Sequence, residues 1–267
     1  DNPLSVLEKQ QAWSNFPLLS ANIIDKATNK HAYQPYTVID KGGIKIAIVG
    51  LTTTDTAVIG NPEYISHLDF IDPSKATQSA MADIMKEHQP DISIAVTHMG
   101  HYSNAKHGIN APGDVTLARN LKEGLIDVII GGHSQEPVCM KSENTSQRDY
   151  LPGSDCIPDK QNGTWIMQAH EWGKYVGKAE LEIRGDDVTL VSYKLIPVNL
   201  KTKKDGQLSL IQPEIVKDKA LYDFLLPYQK KGEGKILLPI AKVNGRLEGD
   251  RSDVRMRQTN LGQLIVA

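Results

Sequence analysis

Asp91-Ile-Ser-Ile-Ala-Val-Thr-His-Met-Gly-His101 and Ile126-Asp-Val-Ile-Ile-Gly-Gly-His-Ser-Gln135 are two apolar, β-branched runs, and each ends in a cluster of glycine and histidine. Short runs of this kind, bounded by glycine and polar residues, predict buried strands over Asp91 to Thr97 and Ile126 to Ile130. Between them Asp114 caps a helical pattern that turns Leu117, Ala118 and Leu121 inward. Upstream, Asp72-Pro73 sets an N-cap and a first-turn proline before Ala76, Ala80, Met81 and Ile84, which share one helical face. Strand and helix alternate, which argues for a parallel sheet covered by helices and joined by right-handed crossovers. Ligands of open α/β sheets bind beyond the carboxyl ends of parallel strands. His98 and the His133 to Gln135 segment are therefore expected on one rim.

Outward from this core the pattern changes. Asn2-Pro3 opens a short helix to about Trp13, and Phe16 to Ile24 reads as an apolar strand. Tyr36 to Ile39 and Ile44 to Val49 flank Lys41-Gly42-Gly43, a hairpin signature. Thr164 to Ala169, Tyr175 to Ile183 and Val188 to Ile196 are alternating runs expected to form an antiparallel meander. Beyond Pro197, Lys201 to Gln212 reads as a polar connection, Ile215 to Leu226 as a helix ended near Pro227, and Lys230 to Lys235 as a linker. Residues 1–200 and 201–267 are accordingly expected to be distinct parts. The first residue is Asp1 rather than Met, and Gln258 to Ala267 reads as a helix just under way, so sequence is expected beyond both ends.

The 267 residues are long enough to bury a substantial core, and at 40% hydrophobic and 23% charged they fall near the averages for soluble domains. No window approaches the ~20 apolar residues of a membrane span. With a net charge of −2 and Lys201 to Lys204 as the densest basic run, the chain carries no footprint for a nucleic acid polymer. Cys139 and Cys156 bracket a polar stretch. Two buried free thiols are one reading; a disulfide is the other, favoured because the segment is too polar to bury them well. Such a crosslink would contribute about 3 kcal/mol on the chain-entropy model, and it points to an oxidising compartment.

Neutral imidazoles are good ligands for Mn, Co, Zn and related ions, and the amide oxygen of Gln135 suits harder ones. Gly131-Gly132 lets the backbone turn sharply so that the next side chain faces the cleft. From spacing alone a metal site and a pair of ordinary hydrogen-bonded histidines both stay open, with His101, His107 and His170 read as ordinary. A serine nucleophile is disfavoured by the lack of a Gly-x-Ser-x-Gly elbow, and a phosphate-cradling loop by the lack of its lysine.

Phe16-Pro-Leu-Leu-Ser-Ala-Asn22, Gly50-Leu-Thr-Thr53, Thr97-His-Met-Gly-His-Tyr102, Asn110-Ala-Pro-Gly-Asp114, Gly131-Gly-His-Ser-Gln135, Gln168-Ala-His-Glu-Trp-Gly-Lys-Tyr175 and Asn244-Gly-Arg-Leu-Glu-Gly-Asp-Arg251 together resemble the bacterial periplasmic 5′-nucleotidase / UDP-sugar hydrolase family. The likeness covers essentially the whole chain. It implies the α/β fold of the calcineurin-like metallophosphoesterases, a four-layer αββα sandwich with two metal ions at the strand ends, here lacking its N-terminal strands. By the same resemblance His98 and His133 are metal ligands and Gln135 a third. Many metallophosphoesterases carry Gly-His-x-His where this chain has Gly-His-Ser-Gln; Gln135 departs from that broad pattern and fits the subgroup.

The family's Gly-Asn-His-Glu-Phe-Asp motif would end at Asp1, making Asp1 the carboxylate that orients a catalytic histidine. That histidine, an early Asp-x-His and the Asp and Asn that complete the metal cage would precede the chain. A C-terminal domain that stacks the nucleobase would follow it, with Gln258 to Ala267 resembling the start of the interdomain helix. The implied activity of the parent protein is hydrolysis of nucleoside 5′-monophosphates and UDP-sugars with two divalent ions (Mn, Mg, Co or Zn), in the periplasm or otherwise secreted. The chain alone is expected to be inactive. A 2′,3′-cyclic nucleotide phosphodiesterase of the same fold and a non-catalytic scaffold are the alternatives, and a lipid anchor on the parent is left open.

Overall fold

The computed structural model describes residues 3–102, 112–147, 149–204, 206–237, 239 and 242–266. The chain divides into two compact units, Asp1–Glu214 and Ile215–Ala267.

The first unit is built on a six-stranded sheet in the order Asp159–Gln161, Thr164–Met167, Val128–Ile130, Ile92–His98, Ile44–Thr52, Tyr36–Lys41. Thr164–Met167, Val128–Ile130, Ile92–His98 and Ile44–Thr52 run parallel to one another, and the two outermost strands pair antiparallel. The Lys41-Gly42-Gly43 hairpin forms as expected, with Gly42 at φ 66° and Gly43 at φ 86°. Side chains alternate across the pleat. On one face Ala47, Val49, Leu51, Ala95, Ile129 and Ile166 meet Ala76, Ala80, Met81 and Ile84 of helix Pro73–Glu87 and Val115, Leu117 and Ala118 of helix Asp114–Asn120. Each fully buried Leu, Ile or Met here contributes about 1.5–3 kcal/mol. Asp72 starts the longer helix by accepting a hydrogen bond from the Lys75 N–H at 2.9 Å.

The opposite face is covered differently. Ile92, Val128 and Met167 pack on Cys139, Cys156, Tyr193 and Leu195, with the antiparallel pair Tyr175–Arg184 and Asp187–Pro197 lying over them. Cys139 and Cys156 are bonded, with Cα atoms 5.5 Å apart, within the range a disulfide spans. Both are buried in this cluster, so the expectation of a crosslink holds while its premise of poor burial does not. Further along the same face Val96 and Ile130 are 46% and 47% exposed.

Several expectations are corrected. Thr164–Met167 is not part of a meander but pairs parallel with Val128–Ile130; Ile166 faces the helices while Met167 faces the hairpin layer, so it needs cover on both sides. Phe16 to Ile24 is not one strand: only Ile23–Asp25 is, and Leu19 makes a single bridge to Gln34. The Leu19 backbone instead lies against Gly50, where a Cβ would fall 2.4 Å from the Leu19 carbonyl oxygen. Asp114 is the first helical residue rather than the cap, because its side chain is bound elsewhere. Lys201 to Gln212 contains the hairpin Lys201–Lys204 with Gln207–Leu210.

In the second unit, helix Lys219–Ile236 runs through Pro227 and absorbs the expected linker. Proline removes one i→i−4 bond and crowds one carbonyl, but the Asp218 cap and the Lys, Gln and Glu that follow favour resumption of the helix. Arg251–Met256 and Asn260–Val266 are short helices, the last where a helix was expected. Among the described residues no helix is long and apolar enough to cross a membrane.

Candidate metal centre

Ile92–His98 and Val128–Ile130 are parallel neighbours, so the segments after them leave the sheet on the same rim. His98 is the last residue of its strand, paired with Thr52. After Ile130 the chain passes through Gly131, where a Cβ would lie 2.3 Å from Asp114 Oδ2, and Gly132, whose Cβ position is 3.6 Å from His98 Nδ1. His133 and Gln135 then take left-handed conformations, φ 77° and 60°, a region that L residues seldom occupy. The result is a tight reversal carrying His133 back toward His98.

His133 Nδ1 lies 3.2 Å from His98 Nε2, with ring centroids 4.9 Å apart at 63°. Two nitrogens each about 2.1 Å from one ion lie roughly 3.0–3.4 Å apart at octahedral or tetrahedral angles. The pair has that separation, which is also within hydrogen-bond distance, on an exposed rim. The residues present therefore fit one divalent ion. Among the described residues no group of three or more His, Cys, Asp and Glu side chains is placed to hold a metal. Gln135 is exposed on the same turn, two residues beyond His133. Asp1 and His107 lie outside the described residues.

Two further histidines pack against neighbouring side chains. His101 Nε2 is 2.8 Å from Asp159 Oδ2, with side chains 9% and 2% exposed. Burial raises the Asp159 pKa, but hydrogen bonds from His101, Gln161 and the Lys160 N–H together hold it below the ordinary value. His170 stacks on Tyr175, centroids 5.8 Å apart, and burial lowers its pKa.

Beneath the rim lies a polar layer that the strand-end pattern did not reveal. Thr97 Oγ1 donates to Asp114 Oδ1 at 2.6 Å, and the Asp114 N–H donates to the Gly100 carbonyl at 2.8 Å. Asp114 is fully buried, and burial pushes its pKa up to about 7. Ser134 Oγ accepts from the His101 N–H at 3.1 Å and from Gln168 Nε2 at 2.8 Å, and it donates to Gln168 Oε1 at 3.1 Å. The available signal was a polar residue directly after an apolar strand, as Gln168 follows Thr164–Met167.

No family model matches the chain. Over 269 residues it is 58% identical to a 5'-nucleotidase of Vibrio parahaemolyticus, covering 99% of this chain and 48% of that protein. It is 51% identical over 272 residues to protein UshA of Escherichia coli, covering 100% of this chain and 50% of that one. Among solved structures, a 5'-nucleotidase precursor from Thermus thermophilus matches with TM-score 0.63 and 27% identity, over 98% of this chain and 46% of that chain. The chain spans about half the length of the curated relatives it matches. Its α/β fold, a central sheet with helices, is that of the metallophosphoesterase-type 5′-nucleotidase domains.

Proposed function

We propose, because this chain is over its whole length a homologue of proteins named 5'-nucleotidase and UshA, that it forms part of a metal-dependent hydrolase of nucleoside 5′-monophosphates and UDP-sugars. The observation that carries the reading is the 3.2 Å approach of His98 and His133 at the ends of adjacent parallel strands. In this reading both imidazoles hold one divalent ion and Gln135 serves as a ligand from the same turn. Asp1 orients a catalytic histidine located outside this chain. Two bound divalent ions supply neutralisation of the phosphoryl oxygens and a lowered pKa for the attacking water. The chain's own contribution is placement: the sheet fixes His98 and the turn fixes His133, so the donors need no reorganisation when the site is loaded.

Charge decides how much of the activity this chain carries. His98, His133 and Gln135 are neutral donors, while two divalent ions need carboxylates close by. We therefore read the chain alone as inactive, with residues 1–200 the C-terminal part of the metallophosphoesterase domain and 201–267 leading toward a base-binding domain. The Cys139–Cys156 bond supports an oxidising compartment, periplasmic or otherwise secreted.

The test uses the full-length protein that carries this chain, stripped with EDTA and reloaded with Mn, Mg, Co or Zn. Phosphate release from AMP and hydrolysis of UDP-glucose should depend on metal, and His98→Ala or His133→Ala should lower kcat by more than about 100-fold. Turnover indifferent to EDTA would overturn the reading; activity on 2′,3′-cyclic AMP but not on AMP would replace its substrate. Turnover of about 1–10³ s⁻¹ by the chain alone would overturn its inactivity.

A further inference from the structure

We propose that Gln168, acting through Ser134, is a positioning residue that sets the geometry of the His98/His133 site; this rests on the reading of those histidines as metal ligands. Gln168 is 2% exposed and follows strand Thr164–Met167, next to the strand that leads to His133. Its Nε2 donates to Ser134 Oγ at 2.8 Å and also to the Glu136 carbonyl oxygen. Ser134 and Glu136 flank Gln135, so one buried amide grips the turn on both sides of that side chain. The turn is tied at its far end too, where the Val138 N–H donates to the Gln168 carbonyl at 2.9 Å.

The second link runs across the sheet. Ser134 Oγ accepts from the His101 N–H at 3.1 Å, and His101 belongs to the loop that follows His98. With the contact to Gln168 Oε1 at 3.1 Å, the hydroxyl uses its one donor and both acceptor positions. A single side-chain oxygen thus joins the loops following three parallel strands, and it sits directly after His133. That turn holds His133 and Gln135 at φ 77° and 60°. Left-handed backbone at non-glycine residues is strained and persists where surroundings over-determine it. The Gln168 to Ser134 network is one of the contacts that over-determine the turn, and its loss shifts His133 relative to His98.

An ordinary buried, satisfied glutamine would affect stability alone, so the test reads metal geometry. In the full-length protein, Co(II) affinity and the Co(II) visible spectrum are measured for wild type, Gln168→Met, Gln168→Glu, Ser134→Ala, Ser134→Thr and His133→Ala, with thermal unfolding of each EDTA-treated variant as the folding control. Gln168→Glu preserves volume while replacing the donor with an acceptor, so it serves if the methionine variant does not fold. Expected are about 10–100-fold weaker Co(II) binding and an altered spectrum for Gln168→Met, Gln168→Glu and Ser134→Ala, with the wild-type spectrum restored by Ser134→Thr. Wild-type affinity and spectrum in the Gln168 and Ser134→Ala variants, with binding lost in His133→Ala, would overturn the positioning role and leave the metal site standing. Co(II) binding unaffected by His133→Ala would overturn the metal reading itself.

Discussion

Among single residues, Asp114 carries a pH dependence whose sign can be fixed. It is fully buried; Oδ1 accepts from Thr97, and Oδ2 has no hydrogen-bond partner among the described residues. Burial raises its pKa from 3.8 to about 7, more than the Thr97 hydrogen bond and the charge of His101 lower it. The folded protein therefore keeps a proton that the unfolded chain releases between roughly pH 4 and 7. Stability from this group is complete below the unfolded pKa and is lost as pH rises through the folded one, on the order of 4 kcal/mol. Asp114→Asn, which cannot ionise, should flatten the fall in melting temperature across that window and gain on wild type as pH increases. Equal pH slopes for the two proteins would show that Asp114 does not titrate in this way.

Between elements, the Cys139–Cys156 crosslink ties the segment from Met140 to Asp155 onto the hairpin layer. Its sequence separation is 17, and closing such a loop restricts the unfolded chain by about 3 kcal/mol. The Cys139→Ala/Cys156→Ala double variant should lower the melting temperature by roughly 6–12 °C, at about 2–4 °C per kcal/mol for a domain of this size. Cys139 and Cys156 are 1% and 5% exposed, so part of the loss comes from packing against Tyr193 and Leu195. An unchanged melting temperature would mean the segment is held by packing alone.

Across the molecule the two faces of the sheet are unequal. One is sealed by helices Pro73–Glu87 and Asp114–Asn120. The other is covered only in part: Val96 and Ile130 are about half exposed, and a groove of about 610 Å³ is lined by Pro17, Leu19, Ile39, Ile48 and Val96 among others. Contiguous apolar surface of this kind is uncommon on monomers and favours association. The chain by itself should therefore self-associate in sedimentation velocity as its concentration rises, and Val96→Thr/Ile130→Thr should reduce the effect. A wild-type chain that stays monomeric throughout would contradict this account.

The alternation of strand and helix, the Lys41-Gly42-Gly43 hairpin and the placing of His98 and His133 at strand ends were all legible in the order of amino acids. These follow from local physics: side-chain period, the φ freedom of glycine, and the chemistry of residues directly after an apolar run. That Thr164–Met167 lies parallel to Val128–Ile130 needed the folded chain, because a strand's period does not name the edge it pairs with. Folding likewise turned Asp114 from a cap into the partner of Thr97, since the acceptor for that hydroxyl comes from 17 residues away. Helix Lys219–Ile236 continued through Pro227 because one lost hydrogen bond does not stop a helix whose flanking turns are otherwise intact. The 3.2 Å separation of His98 and His133, and the hold of Gln168 on Ser134, depend on the parallel register of three strands. That register is set by cooperative burial on both faces of the sheet, to which every strand contributes and which no single segment of the sequence encodes.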